Sequence, residues 1–199
     1  MHMPLSHWEG ESVLGLRDQW SVPALEVYEQ LSSTNDRAFE LARSGASSFS
    51  VVVAEEQTHG RGRRGAIWHS ARGAGLWMSL VLPGPRVPLH LPLIIGVSVS
   101  EAIEESCNGV EVGIEWPNDL MVANGKLGGI LTETPPTGGP NRTVIVGVGI
   151  NYDLRKVKDP ENKFKWLNSA RDVASCAESL PSRSKLYASL VDALSLIHI

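Results

Sequence analysis

The stretch that decides the fold is Leu120-Met121-Val122-Ala123-Asn124-Gly125-Lys126-Leu127-Gly128-Gly129-Ile130-Leu131-Thr132. Two largely apolar runs flank an Asn-Gly pair, the pair that accepts both positive φ angles of a type I′ turn. The reading is a tight hairpin, Leu120 to Ala123 against Lys126 to Thr132. A two-residue hairpin joins antiparallel neighbours, so the sheet containing it is not purely parallel. Paired glycines inside a strand weaken it unless something approaches closely.

Toward the C-terminus, a Pro/Gly-rich connection, Pro135 to Pro140, leads to a further strand, Val144 to Ile150. Residues 153 to 170 are polar and loop-like. Leu186, Leu190, Val191 and Leu194 recur at helical spacing within Ser182 to Ser195. Toward the N-terminus, Val110 to Ile114 alternates as a strand does. Leu93, Ile94, Val97, Val99, Ala102 and Ile103 predict a largely buried helix that ends near Asn108-Gly109. Pro83-Gly84-Pro85 and Pro88 separate it from a strand at Leu76 to Leu82. Leu25 to Glu29 reads as a strand, Ser32 to Asp36 offers N-caps, and Ala38, Leu41 and Ala42 continue as a helix that stops at Gly45. Val51 to Glu55 returns as a strand, which completes a crossover unit. Residues 1–22 are weakly patterned, an arm or one short helix, with too little chain for a helix-turn-helix. The residues read as one α+β or mixed α/β domain with a mixed sheet, and the expectation carried forward is α+β, a mixed and largely antiparallel sheet flanked by helices. Its limits are residues 23–195, with an N-terminal arm (1–22) and a C-terminal tail (196–199).

The bulk composition narrows the function. With 199 residues, 42% hydrophobic and 20% charged, the chain has the balance of a soluble globular protein with a sizeable core. A formal net charge of -4 supplies no global drive toward nucleic acid. Cys107 and Cys176 make no disulfide framework and suit small core or near-core positions of a reduced, intracellular protein. The N-terminus lacks the pattern of a signal peptide. Leu89 to Ile103, broken by His90, Pro92 and Glu101, is too short and polar to span a membrane. A cytoplasmic location is expected.

Against this acidic background, Gly60-Arg61-Gly62-Arg63-Arg64-Gly65 concentrates three arginines, with Trp68 close behind. Glycines let a backbone wrap a ligand, and guanidinium groups suit phosphate and carboxylate oxygens. The stretch matches G-x-G-x-x-G, but the dinucleotide reading needs a helix to start inside the motif. Ala66 to Gly75 has no helical pattern, which argues against it. A solvated basic turn is the plainer alternative, and a nucleic-acid patch lacks a basic-aromatic stripe to extend it.

Three further segments carry polar chemistry. In Trp116-Pro117-Asn118-Asp119, Asp119 suits a magnesium ion and Asn118 a ligand amide contact, though Pro-Asn-Asp is also good turn chemistry. Lys126 abuts the paired glycines, so its ammonium is a candidate to meet a ligand. In Gly147-Val148-Gly149-Ile150-Asn151, either close packing or a ligand explains the small residues.

Together these pieces resemble the catalytic domain of biotin protein ligases. The matching residues are Ser33-Thr34-Asn35, Gln57 with Gly60 to Gly65 and Trp68, Trp116 to Asp119, Lys126 to Leu131, and Gly149-Ile150-Asn151. They occur in the family's order and roughly its spacing, across about residues 25 to 195. The resemblance implies a fold similar to class II synthetases and an ATP-dependent ligase. Such an enzyme makes biotinyl-5′-adenylate and pyrophosphate, then passes biotin to a lysine of a biotin carboxyl carrier domain. It implies biotin, ATP and magnesium as ligands, and neither DNA nor a membrane as partner.

The resemblance also assigns roles. Lys126, Arg63 and Asp119 correspond to the catalytic set. Ser33, Thr34, Asn35, Gln57, Gly60, Arg61, Gly62, Arg63, Lys126 and Gly128 fall at the biotin site. Arg63, Arg64, Trp68, Asn118, Asp119, Gly149 and Asn151 fall at the nucleotide, Trp68 on the adenine and Asp119 at the magnesium. The arginine loop is expected to be mobile when empty and to order over the ligand.

This chain departs from the family at several points. Glu115 stands where lysine is usual, and Ala66 where many relatives have arginine. The sequence stops at Ile199, before the small C-terminal β-barrel usual in the family, and its ending reads as truncated or foreign. It carries no DNA-binding module, so the expectation is a ligase only. A lipoate or octanoate ligase of the same superfamily and a non-catalytic biotin binder are the competing readings.

Overall fold

The structure is a computed structural model that describes residues 3–83, 90–134, 143–159, 161 and 163–197. The proline break at 84–89, the Pro/Gly-rich connection at 135–140 and the last two residues of the tail lie outside the described residues.

A short hairpin, β1 (His7–Trp8) with β2 (Glu11–Ser12), leads into helix α1 (Val13–Gln19). Ser12 caps that helix, its hydroxyl accepting from Gly15 N at 3.0 Å. Next come β3 (Leu25–Tyr28), α2 (Thr34–Arg43) and β4 (Val51–Ala54). β3 and β4 are parallel, as the crossover pattern predicts. β5 (Gly75–Pro83), α3 (Leu91–Ser106), β6 (Gly113–Glu115), β7 (Asp119–Val122), β8 (Gly125–Glu133) and β9 (Thr143–Asn151) follow. The short α4 (Val173–Cys176) and α5 (Arg183–Ser195) complete the described elements.

The main sheet has seven strands in the order β3-β4-β5-β9-β8-β7-β6. Apart from β3 and β4, its neighbours pair antiparallel. The expected mixed, largely antiparallel α+β sheet is therefore what the chain forms. β9, last in sequence, sits between β5 and β8, so closing the sheet requires a long-range pairing.

Alternation along β9 sorts the two faces. Val144, Val146, Val148 and Ile150 join the main core with Leu16 of α1, Ile95, Val99 and Ile103 of α3, and Leu186, Leu190 and Leu194 of α5. Ile145 points the other way and packs with Val52, Val81 and Ala38 beneath α2. Beyond the cover of α2 that second face carries Gly147 and Gly149, and there the candidate site opens.

Local details differ from the pattern-based reading. The positive φ angles of the hairpin turn fall on Ala123 (47°) and Asn124 (61°), one residue earlier than Asn-Gly. Val122 pairs with Gly125, which is the first residue of β8. In α3, Ile94 and Val97 face outward, 39% and 42% exposed, while Leu91, Ile95 and Gly96 are buried. Within residues 3–22, Trp8, Leu16 and Trp20 belong to the main core. Cys107 is fully buried, and burial pushes its thiol up to about 11. Residues 153 to 170 include two short 3-10 turns, Leu154–Lys156 and Lys165–Asn168.

A buried ionic cluster ties the N-terminal hairpin to the end of β4 and the start of α5. The Arg183 guanidinium donates to both oxygens of Glu55 at 3.0 and 2.8 Å and to Glu9. Trp8 Nε1 also donates to Glu55, and Arg183 lies 5.2 Å from the centre of the Trp8 ring. These residues thus satisfy one another, which is the condition for burying charge without large cost.

Candidate functional site

The site is a cavity of about 290 Å³ on the α2 side of the sheet. Its floor is glycine-rich, its rim carries Arg61 and Arg63, and the start of α2 forms one wall. The wall residues Ser33, Thr34 and Asn35 are buried, and Thr34 and Asn35 are linked by polar contacts. Gln57 Oε1 accepts from Thr34 N at 2.8 Å and from Thr34 Oγ1 at 3.1 Å, and Gln57 Nε2 donates to Ser70. Ser79 Oγ lies 2.7 Å from Thr34 Oγ1 and 2.5 Å from Asn35 Oδ1. Asn35 Nδ2 donates to Glu133 at 2.6 Å. This chain of partners fixes the wall before any ligand arrives.

The glycines of β9 are explained by side chains. A Cβ on Gly147 would stand 2.5 Å from Asn35 Oδ1, and one on Gly149 would stand 2.7 Å from Trp68 Nε1. Trp68 therefore rests on the sheet, edge-on to Trp77 with ring centroids 6.2 Å apart. Lys126 Nζ lies 5.5 Å from the centre of the Trp68 ring.

Lys126 reaches this face because of a β-bulge. Asp119 pairs with Gly129 and Leu120 with Gly128, but Met121 pairs with Lys126, so Leu127 is the extra residue. In unbroken alternation Lys126 and Gly129 would point to opposite faces. The bulge buries Leu127 in the core and turns Lys126 beside Asp119, to whose Oδ2 its ammonium donates at 2.5 Å. Asn118 completes the corner. It donates to Asp119 Oδ1 and to Ile130 O, and accepts from Arg63 at 3.1 Å.

Arg61 is held more firmly than Arg63. It donates to both Asp36 oxygens at 2.9 and 2.8 Å and to Glu133 at 3.3 Å. Its hydrogen bonds to Asp36, chiefly, raise its proton affinity further above the ordinary arginine range. The loop itself holds a single 3-10 turn, Arg63–Gly65, with Arg64 at φ 55°. No helix follows it before β5, in keeping with the rejection of a dinucleotide fingerprint.

A second cavity of about 190 Å³ adjoins the first and shares Ile67, Trp68 and Lys126 with it. Its far side carries Asn151 and Trp166. His69 stacks on Trp166 with ring centroids 5.1 Å apart and planes 7° apart. Asn151 Nδ2 is spent on the backbone carbonyls of Lys126 and Arg171.

Ser33, Thr34, Asn35, Gln57, Arg61, Gly62, Arg63, Trp68, Asn118, Asp119, Lys126 and Gly149 all line the first cavity. Gly60, Arg64 and Gly128 do not line either cavity. Gly60 lets the Trp68 carbonyl pass, Gly128 lies against the Gly149 carbonyl and Ile150, and Arg64 is exposed at the loop tip. Sequence reasoning misses Ser79, Glu133 and Trp166, and it singles out the segments of Gly129 and Gly147 without assigning either glycine a role. The glycines are visible as oddities in strands, but nothing local marks Glu133 or Trp166.

As a metal site the residues are sparse. No group of three or more His, Cys, Asp or Glu among the described residues could hold an ion by itself. A single carboxylate, Asp119, suits magnesium only as an ion that also rides on substrate phosphates, a usual arrangement for that metal.

Fold and site define a class: an α+β domain with a small cavity lined by Arg61, Arg63 and Lys126 over a glycine-rich floor. The chain belongs to the biotin/lipoate A/B protein ligase family, whose model matches residues 27–151. It is 42% identical over 157 residues to the bifunctional ligase/repressor BirA of Bacillus subtilis, covering 77% of this chain and 48% of that protein. It is 31% identical over 188 residues to the biotin--[acetyl-CoA-carboxylase] ligase of Mycobacterium tuberculosis, covering 91% and 65%. Among solved structures, the biotin protein ligase of Aquifex aeolicus in complex with biotin and ATP superposes with a TM-score of 0.72 at 29% identity. That match covers 87% of this chain and 69% of the other. The chain spans about half the length of the BirA relatives it matches.

Proposed function

We propose that this chain is the catalytic region of an ATP-dependent biotin protein ligase. The observation that carries the reading is the position of Lys126, which lines both cavities and whose ammonium lies beside Asp119 and the Trp68 ring. One cavity has a buried polar wall suited to a small polar head group. The other lies between Trp68 and Trp166 and suits a flat base. Biotin in the first and ATP in the second would bring a carboxylate and an α-phosphate together at Lys126.

In the first step a biotin carboxylate oxygen attacks the α-phosphorus and the bond to the β-phosphate breaks, releasing pyrophosphate. Two anions must meet, so fixed positive charge and positioning supply much of the acceleration. Lys126 is placed to touch both reactants, and Arg63 to reach the phosphates. Ser33, Thr34, Asn35 and Gln57 hold the biotin head, and Asn118 and Asp119 face the phosphates. Magnesium bound through Asp119 and the phosphates would neutralise part of their charge. In the second step a lysine amine of a biotin carboxyl carrier domain attacks the acyl carbon, AMP leaves, and the amine loses a proton. Neither step needs a covalent enzyme intermediate.

The test is incubation with biotin, ATP, magnesium and a carrier domain. The acceptor should gain the mass of one biotinyl group, and the enzyme should exchange labelled pyrophosphate into ATP when biotin is present. The family also includes lipoate ligases, so the same exchange is run with lipoate. Exchange with lipoate and none with biotin would replace this reading, and biotin binding without exchange would reduce the chain to a binder. No helix among the described residues is long and apolar enough to cross a membrane. On the ligase reading the chain works beside its carrier protein, which we place in the cytoplasm.

A further inference from the structure

The cations lining the site are unequally occupied. Lys126 faces one carboxylate, Asp119. Arg63 meets the neutral Asn118 amide. Arg61 is matched by two carboxylates, Asp36 from the first turn of α2 and Glu133 from the end of β8. Its contact with Asp36 is bidentate, the strongest geometry open to a guanidinium and a carboxylate. Glu133 Oε2 also accepts from Asn35, so the partner of Arg61 is itself held by the cavity wall.

Arg61 is also the first arginine of the loop, and its segment bridges Ile67 on the return. The loop is closed across its neck by Gly62 N to Ala66 O at 2.7 Å and Trp68 N to Gly60 O at 2.9 Å. Beyond this neck, Arg64 and Gly65 hold left-handed angles and are exposed. The loop therefore has a paired root and an exposed tip, whose Arg63 reaches Asn118.

We propose that Asp36 and Glu133 are positioning residues which tether the arginine loop to the cavity wall through Arg61. Arg61 then acts as a structural pin, and Arg63 is the loop cation available to a substrate anion. The two carboxylates cancel the charge of Arg61 and keep it on the wall. The tip carrying Arg63 moves about a root already in place, so closure orders few residues. Retention of a reactive adenylate follows from the same pin, and that consequence rests on the ligase reading.

Hydrogen exchange on the ligand-free chain tests the tether without any catalytic assumption. In Asp36→Asn, and separately in Glu133→Gln, the amides of Gly62, Ala66 and Trp68 should exchange about tenfold faster, the scale of one charge-assisted hydrogen bond. Protection along β9 should stay at the wild-type level. Wild-type protection of those loop amides in both variants overturns the proposal. Should Asp36→Asn also lose protection along β9, the loop amides of Glu133→Gln alone decide: faster exchange there supports the tether, and wild-type exchange overturns it. A second arm counts adenylate released to solvent per turnover, which should rise about tenfold in Asp36→Asn while pyrophosphate exchange persists. Absence of exchange in the wild type sinks the ligase reading and leaves the hydrogen-exchange result on the tether standing.

Discussion

The indole of Trp68 lies on the bare backbone of Gly149, where a methyl group would stand 2.7 Å from Nε1 and 2.8 Å from Cε2. β9 is paired on both sides and cannot yield, so in Gly149→Ala the indole must move. Overpacking of this kind costs roughly 1–3 kcal/mol. Trp68 walls both cavities, so biotin and ATP should each bind at least about tenfold more weakly. Calorimetry and a urea melt measure the two effects. Unchanged affinities would show that Trp68 is not part of the binding surface.

Lys126 is the next test. Lys126→Ala removes the side chain of a residue that lines both cavities and takes the ammonium from the Asp119 carboxylate. Fixed charge of this kind contributes roughly 100- to 1000-fold to rate when aimed at a developing charge. Biotin-dependent pyrophosphate exchange should fall by that order. Biotin itself should still bind, since Thr34, Asn35 and Gln57 are untouched. Equal losses of binding and exchange would demote Lys126 to an affinity residue.

The acid limb of stability should run through Glu26. Burial alone pushes this carboxyl up, but hydrogen bonds from Arg37 and Tyr28 outweigh burial and hold it below the ordinary glutamate value of 4.5. A group depressed in the folded state contributes stability above its unfolded pKa and loses it as pH falls through the folded one. The wild type should therefore lose stability below about pH 4.5, and Glu26→Gln should lose less of it there. Urea midpoints measured between roughly pH 3 and 6 give the difference. Parallel curves for the two proteins would refute the assignment.

The N-terminal hairpin should prove indispensable through Arg183. Arg183→Met strands the buried Glu55 carboxylate and, at the rim of the cluster, the more exposed Glu9, which now share one guanidinium. Breaking a buried pair from one side costs about 3–5 kcal/mol. A urea denaturation curve should show that loss, and Glu55→Gln combined with Arg183→Met should recover part of it. A cost below about 1 kcal/mol would mean that the cluster is effectively solvated.

How much of this is legible in the sequence varies with the range of the interaction. β5 and β9 are readable as continuous apolar runs, and α5 by its helical spacing. The site's motifs are readable because their composition is unusual: arginine beside glycine, and glycine inside strands. Residues 5–22 are not, because a two-residue hairpin and a seven-residue helix are too short to show a period. Their tryptophans matter only once Tyr187 of α5 packs against both, with ring centroids 5.6 Å from each. Glu133 and Asp36 look like ordinary surface acids, since their partner Arg61 lies 72 and 25 residues away. The bulge at Leu127 leaves no local mark either.

The hairpin turn shows the same limit at a single residue. Asn-Gly fits a type I′ turn, yet the turn uses Ala123 and Asn124, because Gly125 is needed elsewhere. A Cβ at Gly125 would stand 2.6 Å from Arg171 Cγ and 2.9 Å from the Ser169 carbonyl, in the segment that pairs with Lys126. Packing by a segment distant in sequence has displaced the turn by one residue. Ala123 thus holds φ 47° with a side chain that disfavours it. Ala123→Gly should stabilise the protein by about 0.5–1 kcal/mol, relief of the left-handed strain exceeding the added chain entropy. Gly125→Ala should destabilise it by roughly 1–3 kcal/mol and disturb the Lys126 backbone with it. Thermal melts rank the pair, and the reverse order would place the turn back on Asn124-Gly125.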